Sequence, residues 1–152
     1  MNLYQALDRL RDRIHRRRWT PEHAAAVRGE DLAMRFLVKR KYVIVARNYR
    51  PRAGYGEVDL IAWENDRLVF IEVKTRTGED SGVPERAVHR KKQEYVERTA
   101  REYARRANVE FDRVRFDVVT ILEPAPIRIE LFRDAFSART TRLADAGASS
   151  FT

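Results

Sequence analysis

The sequence predicts an α/β fold in which a central mixed sheet of five strands is flanked by helices. Three observations carry that prediction. Helix-type and strand-type patterns follow one another as helix, three strands, helix, two strands. The second and third strands are separated only by Asn65-Asp66, a pair suited to the positive φ angles of a tight hairpin turn. A long helical stretch lies between the third and fourth strands, and strands joined by such a crossover run parallel or sit on the far side of the sheet.

Each element has its own signal. Thr20-Pro21 reads as an N-cap and first-turn proline, opening a helix over residues 20–41 with Ala26, Ala33, Phe36 and Leu37 on its apolar face. Residues 42–46 form a short apolar strand, followed by a basic loop over residues 48–55 with Pro51 and Gly54. Residues 56–64 and 67–74 are β-branched and aromatic-rich and make the antiparallel hairpin. Residues 75–82 are polar and glycine-bearing, the composition of a mobile loop at a site entrance. Pro84 starts a second helix reaching about residue 107, with Val88, Tyr95, Thr99 and Tyr103 on one face and Lys92 at its edge. Arg90, Lys91, Arg98, Arg101, Arg105 and Arg106 make the rest of it basic. Residues 114–122 and 127–132 are the last two strands; Asp117 interrupts the first and is expected to pair with Arg115 or Arg113.

The ends differ in character from this core. Over residues 1–18, Leu3, Leu7, Leu10 and Ile14 form one helical stripe and six arginines lie elsewhere. Such a helix packs on the core or a second copy, lies along phosphates as a basic arm, or touches an acidic membrane surface. The favoured reading is a helix that either packs on the core or forms a homodimer, with a basic outer face. Residues 19–136 then form one domain, and the small, polar residues 137–152 read as a disordered tail.

Composition narrows the partners. The 152 residues carry a net charge of +8 with 36% charged residues, which favours polyanions, nucleic acid foremost. The chain has no cysteine, which excludes disulfides and zinc fingers and fits a reducing compartment. No apolar run approaches a membrane span and no secretion-signal core is present, so a cytoplasmic location without a membrane partner is the default expectation.

The hairpin carries the chemistry. With a two-residue turn, Asp59 falls opposite Glu72, and opposed residues on antiparallel strands share a face with Cβ atoms roughly 5 Å apart. Lys74 lies on that face too, two residues on. Paired carboxylates in an apolar hairpin repel unless a cation joins them. Lys74 supplies one charge, and Mg²⁺ or Mn²⁺, which take oxygen ligands and keep several waters, would supply another. The competing reading is a plain salt bridge of Glu72 with Lys74 or an arginine. Glu30 falls beside the buried stripe of the first helix and is a further candidate acid, or an ordinary helix-edge glutamate. Arg47, Arg50 and Arg52 cluster near Asp59 as a phosphate clamp or as solvated loop charges.

These residues carry a resemblance. Gly29-Glu30-Asp31-Leu32-Ala33, Asn48-Tyr49-Arg50, the run from Gly56 to Ala62 around Asp59, Glu72-Val73-Lys74 with Arg76, Lys92-Gln93, Arg115-Phe116-Asp117-Val118-Val119 and Asp134-Ala135-Phe136 resemble the YraN-type family of small bacterial proteins. That family lies within the restriction-endonuclease-like PD-(D/E)xK superfamily and is similar to archaeal Holliday-junction resolvases. The resemblance covers about two thirds of the chain, and its Glu-x-Lys element is specific only in this ordered context. It implies a metal-dependent DNA endonuclease in which Asp59, Glu72 and the Val73 carbonyl hold Mg²⁺ and Lys74 positions the attacking water. It further implies that Glu30 is an auxiliary acid, and that Gln93 lies near the site with Arg76 and Lys92 toward the nucleic acid. The extension over residues 1–18 departs from the pattern. Activity does not follow from fold alone, so a non-catalytic nucleic-acid-binding module and a scaffold remain the alternatives.

Overall fold

A computed structural model describes residues 20–52, 56–77 and 90–136. The helix expected over residues 1–18, the tail 137–152 and the first turns of the second helix lie outside the described residues. Helix α1 (Pro21–Lys39) begins as its sequence predicts: Thr20 adopts an extended conformation, its side chain accepts the His23 N–H, and Pro21 occupies the first turn. Strands β1 (Val43–Tyr49), β2 (Val58–Glu64) and β3 (Arg67–Thr77) follow, then helix α2 (Arg90–Arg106), a single 3₁₀ turn (Phe111–Arg113), and strands β4 (Val114–Glu123) and β5 (Arg128–Phe132).

The five strands form one sheet in the order β1-β2-β3-β4-β5. All neighbours are antiparallel except β3 and β4, which the α2 crossover makes parallel. The hairpin register is the expected one, running from Glu64 opposite Arg67 to Leu60 opposite Ile71, and Asn65 takes a φ of 53° in the turn. Two spans differ from expectation. β1 extends through Asn48 and Tyr49, because Tyr49 still pairs with Val58, and Asn48 accommodates a φ of 48° there. β3 continues to Thr77, because pairing with β4 persists to Thr77 opposite Glu123; the polar residues Thr75, Arg76 and Thr77 are therefore strand rather than loop.

β3 is the central strand and is covered on both faces, so Leu68, Val69, Phe70, Ile71 and Glu72 are all buried in succession. On one face Ala33 and Leu37 of α1 pack with Leu60, Ala62, Val69, Ile71, Val119 and Ile121. Ala26 stays exposed, and Gly29 takes its place on the buried face: a Cβ there would lie 2.5 Å from Thr75 Oγ1, so the missing side chain lets α1 approach β3. On the other face Val96, Ala100 and Ala104 of α2 pack with Val58, Ile61, Phe70 and Phe116. The buried side of α2 is thus rotated from the expected tyrosine face. Tyr95 is 38% exposed, whereas Thr99 is buried and Tyr103 meets Phe70 edge-on.

Asp117 is fully buried and pairs with Arg115, as the sequence implied. Arg115 forks onto both Asp117 oxygens at 2.7 and 2.8 Å, and its Nη2 also reaches Glu64 at 2.6 Å. The Tyr42 hydroxyl and the Asp134 backbone N–H donate to the same carboxylate, fastening the start of β1 and the end of the described chain to β4. Burial, then the Asp117 charge, pushes the Tyr42 hydroxyl up to about 12. Burial alone would raise Glu64, but Arg133 and Arg115 outweigh it and hold that carboxyl low.

Candidate active site

The α2 face of the hairpin brings together four of the expected residues. The pairing of β2 with β3 ends at Leu60 opposite Ile71, and Asp59 and Glu72 are the next residues on the two strands. There the Asp59 carboxylate takes over from the main chain, and its Oδ2 accepts the Val73 N–H at 2.8 Å. Glu72 is buried, with its side chain 3% exposed, and Lys74 Nζ stands 3.4 Å from its Oε1. The predicted cluster of Asp59, Glu72, Val73 and Lys74 is therefore real as a spatial group.

A second ammonium joins it. Lys92 of α2 donates to the same Glu72 Oε1, so both lysines cap one oxygen from the outer side. The sequence placed Lys92 at the edge of the helix face toward the sheet; its specific partner carried no sequence signal, because it arises from packing α2 on β3. Burial would lower the Lys92 ammonium, but its hydrogen bond to Glu72 and the Glu72 and Asp59 charges raise it on balance.

Electrostatics leave this group wanting a cation. Burial first, and then the Glu72 charge, push the Asp59 carboxyl up to about 7, against the Val73 N–H and the Lys92 charge, which favour its ionised form. Glu72 Oε2 is buried without a hydrogen-bond partner. An orphaned carboxylate oxygen beside a carboxyl at the edge of ionisation fits a divalent ion that takes oxygen ligands. Among the described residues no three acidic or imidazole side chains converge as a cage. An ion here would therefore complete its shell with main-chain oxygen, such as the Val73 carbonyl, and water, as Mg²⁺ accepts.

Glu30 of α1 is linked to this group only through its charge. Its charge is felt at Asp59, it receives a hydrogen bond from Asn48, and burial outweighs that bond and the Arg47 charge to raise its carboxyl. Asn48, in its left-handed conformation on β1, belongs to a motif that carries the resemblance, but its bond to Glu30 had no signal in the sequence.

The basic residues divide. Arg47 is bonded to Asp31 at 2.6 Å, with its Nε buried and unpartnered, and Arg50 is bonded to Glu57 at 2.6 Å. Both guanidiniums are already committed to carboxylates. Arg52 is exposed, while Arg76 on β3 and Gln93 on α2 are partly buried. Along α2, Arg90, Arg101 and Arg106 sit in i,i+4 pairs with Glu94, Glu97 and Glu102, which offsets three of that helix's seven basic charges.

A mixed sheet flanked by helices, with an acid on one hairpin strand and Glu-x-Lys on the next, is the architecture of the restriction-endonuclease-like superfamily. Within it, the chain belongs to the uncharacterised protein family UPF0102, the YraN family, whose profile matches residues 29–121. It is similar to a UPF0102 protein of Solibacter usitatus, 48% identical over 134 residues that cover 88% of this chain and 97% of the relative. A UPF0102 protein of Rhodococcus opacus is 49% identical over 116 residues, covering 74% of this chain and 96% of the relative. The matched region contains Glu30, Asp59, Glu72, Lys74 and Lys92. No helix among the described residues is long and apolar enough to cross a membrane.

Proposed function

We propose that this protein is a metal-dependent endonuclease that hydrolyses phosphodiester bonds of DNA, with branched or structured DNA as its substrate class. The observation that supports this reading is the convergence of Asp59, Glu72 and Lys74 at one end of the hairpin, where Glu72 Oε2 is buried without a hydrogen-bond partner. Asp59, Glu72 and the Val73 carbonyl would hold Mg²⁺ or Mn²⁺. A bound divalent ion supplies Lewis-acid stabilisation of charge on the phosphate and makes a bound water more acidic.

The chain's own groups do the rest. Lys74 holds its ammonium beside Glu72, where it orients the attacking water or offsets charge building on the phosphate. In-line attack forms the new P–O bond as the bond to the leaving oxygen breaks. Glu30, a carboxyl raised by burial, is suited to moving a proton at that stage. Arg52 and Arg76 supply positive charge to the backbone, and Arg47 and Arg50 do so by exchanging their carboxylate partners for phosphate. The protein acts in the cytoplasm on this reading, and symmetric cutting of a junction would require a homodimer.

One observation favours a second reading. Lys74 and Lys92 together already satisfy Glu72 Oε1, as a structural ion cluster would. A non-catalytic nucleic-acid-binding module of this fold would bind DNA in a salt-sensitive way without cutting it. The deciding experiment is cleavage of duplex, single-stranded and four-way-junction DNA in Mg²⁺ or Mn²⁺ by wild type and Asp59→Ala, with DNA affinity measured in parallel. The nuclease reading expects cutting that Asp59→Ala abolishes while affinity stays within a few fold. Tight binding by wild type with no cutting of any substrate selects the binding module.

A further inference from the structure

One oxygen of the carboxylate that a metal would use is covered by lysine. Glu72 is almost wholly buried; its Oε1 carries both Lys92 and Lys74, whose own side chains are about one third exposed. The ammoniums therefore stand between Glu72 and the solvent. If all four groups are ionised, the charges of Asp59, Glu72, Lys74 and Lys92 cancel, so a divalent ion added to the intact group would leave it with two excess positive charges. Close in, such an excess is costly where solvent is partly excluded. One ammonium has to leave.

The two lysines are not equivalent in this respect. Lys74 lies two residues from Glu72 on the same strand, and pairing with β4 on through Thr77 fixes its backbone. Lys92 comes from another element, near the start of α2, on a four-carbon stem that can swing outward.

We propose that Lys92 is a tethered cation that occupies the divalent position in the metal-free protein, so that metal entry and Lys92 departure are one exchange. This rests on the metal-dependent reading above and assigns Lys92 a role in metal affinity rather than only in nucleic-acid contact. The exchange keeps Glu72 partnered when no metal is present, which explains how a buried carboxylate persists next to Asp59. It also sets metal affinity, because every binding event works against the Lys92–Glu72 contact.

The test titrates Mg²⁺ and Mn²⁺ alone, without DNA, into the full chain by calorimetry at pH 8. Wild type is compared with Lys92→Gln and with Lys91→Gln, which removes the same charge one residue away. The exchange predicts at least tenfold tighter metal binding by Lys92→Gln and a change within about twofold for Lys91→Gln. Wild-type binding that Lys92→Gln leaves unchanged or weakens overturns the exchange and leaves the metal-dependent reading standing. Absence of binding by every protein overturns both. A measurement on wild type covers the case in which the variant does not fold: acetylation of lysines by an N-hydroxysuccinimide ester, read by mass spectrometry. Saturating Mn²⁺ is expected to raise Lys92 reactivity severalfold with Lys91 unchanged, and unchanged protection of Lys92 would overturn the proposal.

Discussion

Asp59 Oδ2 accepts the backbone N–H of Val73 at 2.8 Å, so one strand's carboxylate completes the hydrogen bonding of the next at the point where Glu72 and Lys74 flank that residue. This bond ties Asp59 to β3 beside Glu72 and gives it a structural role besides the metal-binding role proposed for it. Its dual role allows the two to be separated, because asparagine keeps the acceptor and removes the charge.

Asp59 has a folded-state pKa of about 7 against an ordinary value of 3.8. A carboxyl raised on folding binds more protons when folded, so its contribution favours folding below pH 4 and is lost as pH rises through 7. In metal-free buffer, Asp59→Asn should therefore melt about 4 °C or more above wild type at pH 8, with the gap closing toward pH 4. Thermal unfolding across that range checks it; a gap independent of pH would contradict the shift.

Lys74→Ala should reduce DNA cleavage by about 10²-fold or more, the scale of a lost charge-stabilising or water-orienting group. DNA affinity should change by only a few fold. Single-turnover cleavage beside equilibrium binding separates the two, and normal cutting by the variant would remove the role assigned to Lys74.

Gly29 and Thr75 should be coupled. Alanine at position 29 gains about 1 kcal/mol of helix propensity, but its Cβ meets Thr75 Oγ1 at 2.5 Å. With Thr75 present the gain is offset or reversed; in a Thr75→Ala background it should appear in full. Urea unfolding of the four proteins should show a coupling of about 1 kcal/mol or more, and additive effects would mean that α1 does not approach β3 so closely.

Arg115→Ala should be the most damaging of these substitutions. It strips the fully buried Asp117 of its forked partner and Glu64 of one of its two, a loss of about 3–5 kcal/mol by analogy with other broken buried pairs. Arg115→Lys should recover only part of this, because an ammonium cannot bond both Asp117 oxygens and Glu64 in one plane. Denaturant midpoints of the three proteins provide the comparison.

What the sequence disclosed depended on the range of each interaction. The two-residue turn at Asn65-Asp66 pins the hairpin pairs from Glu64–Arg67 to Leu60–Ile71, so the nearness of Asp59 to the Glu72-Val73 segment was legible in the numbering. Thr20 and Arg115 were legible for the same reason, since a cap and an i,i+2 pair on one strand are local. The length of β3 was not, because Thr75 to Thr77 are held in strand form by β4, more than forty residues away. The buried side of α2 differs from the tyrosine face that the sequence predicts because Val96, Ala100 and Ala104, with small side chains, let the helix lie close to the sheet. Lys92 on Glu72 and Asn48 on Glu30 depend on how helices dock, and no spacing in the chain encodes that.

The central claim is that the Asp59–Glu72 group is a divalent-metal site, and the most direct measurement is calorimetric titration of Mg²⁺ and Mn²⁺ into wild type and Asp59→Ala at pH 8. We expect saturable binding by wild type that Asp59→Ala loses. No binding by wild type, with or without four-way-junction DNA present, would contradict it.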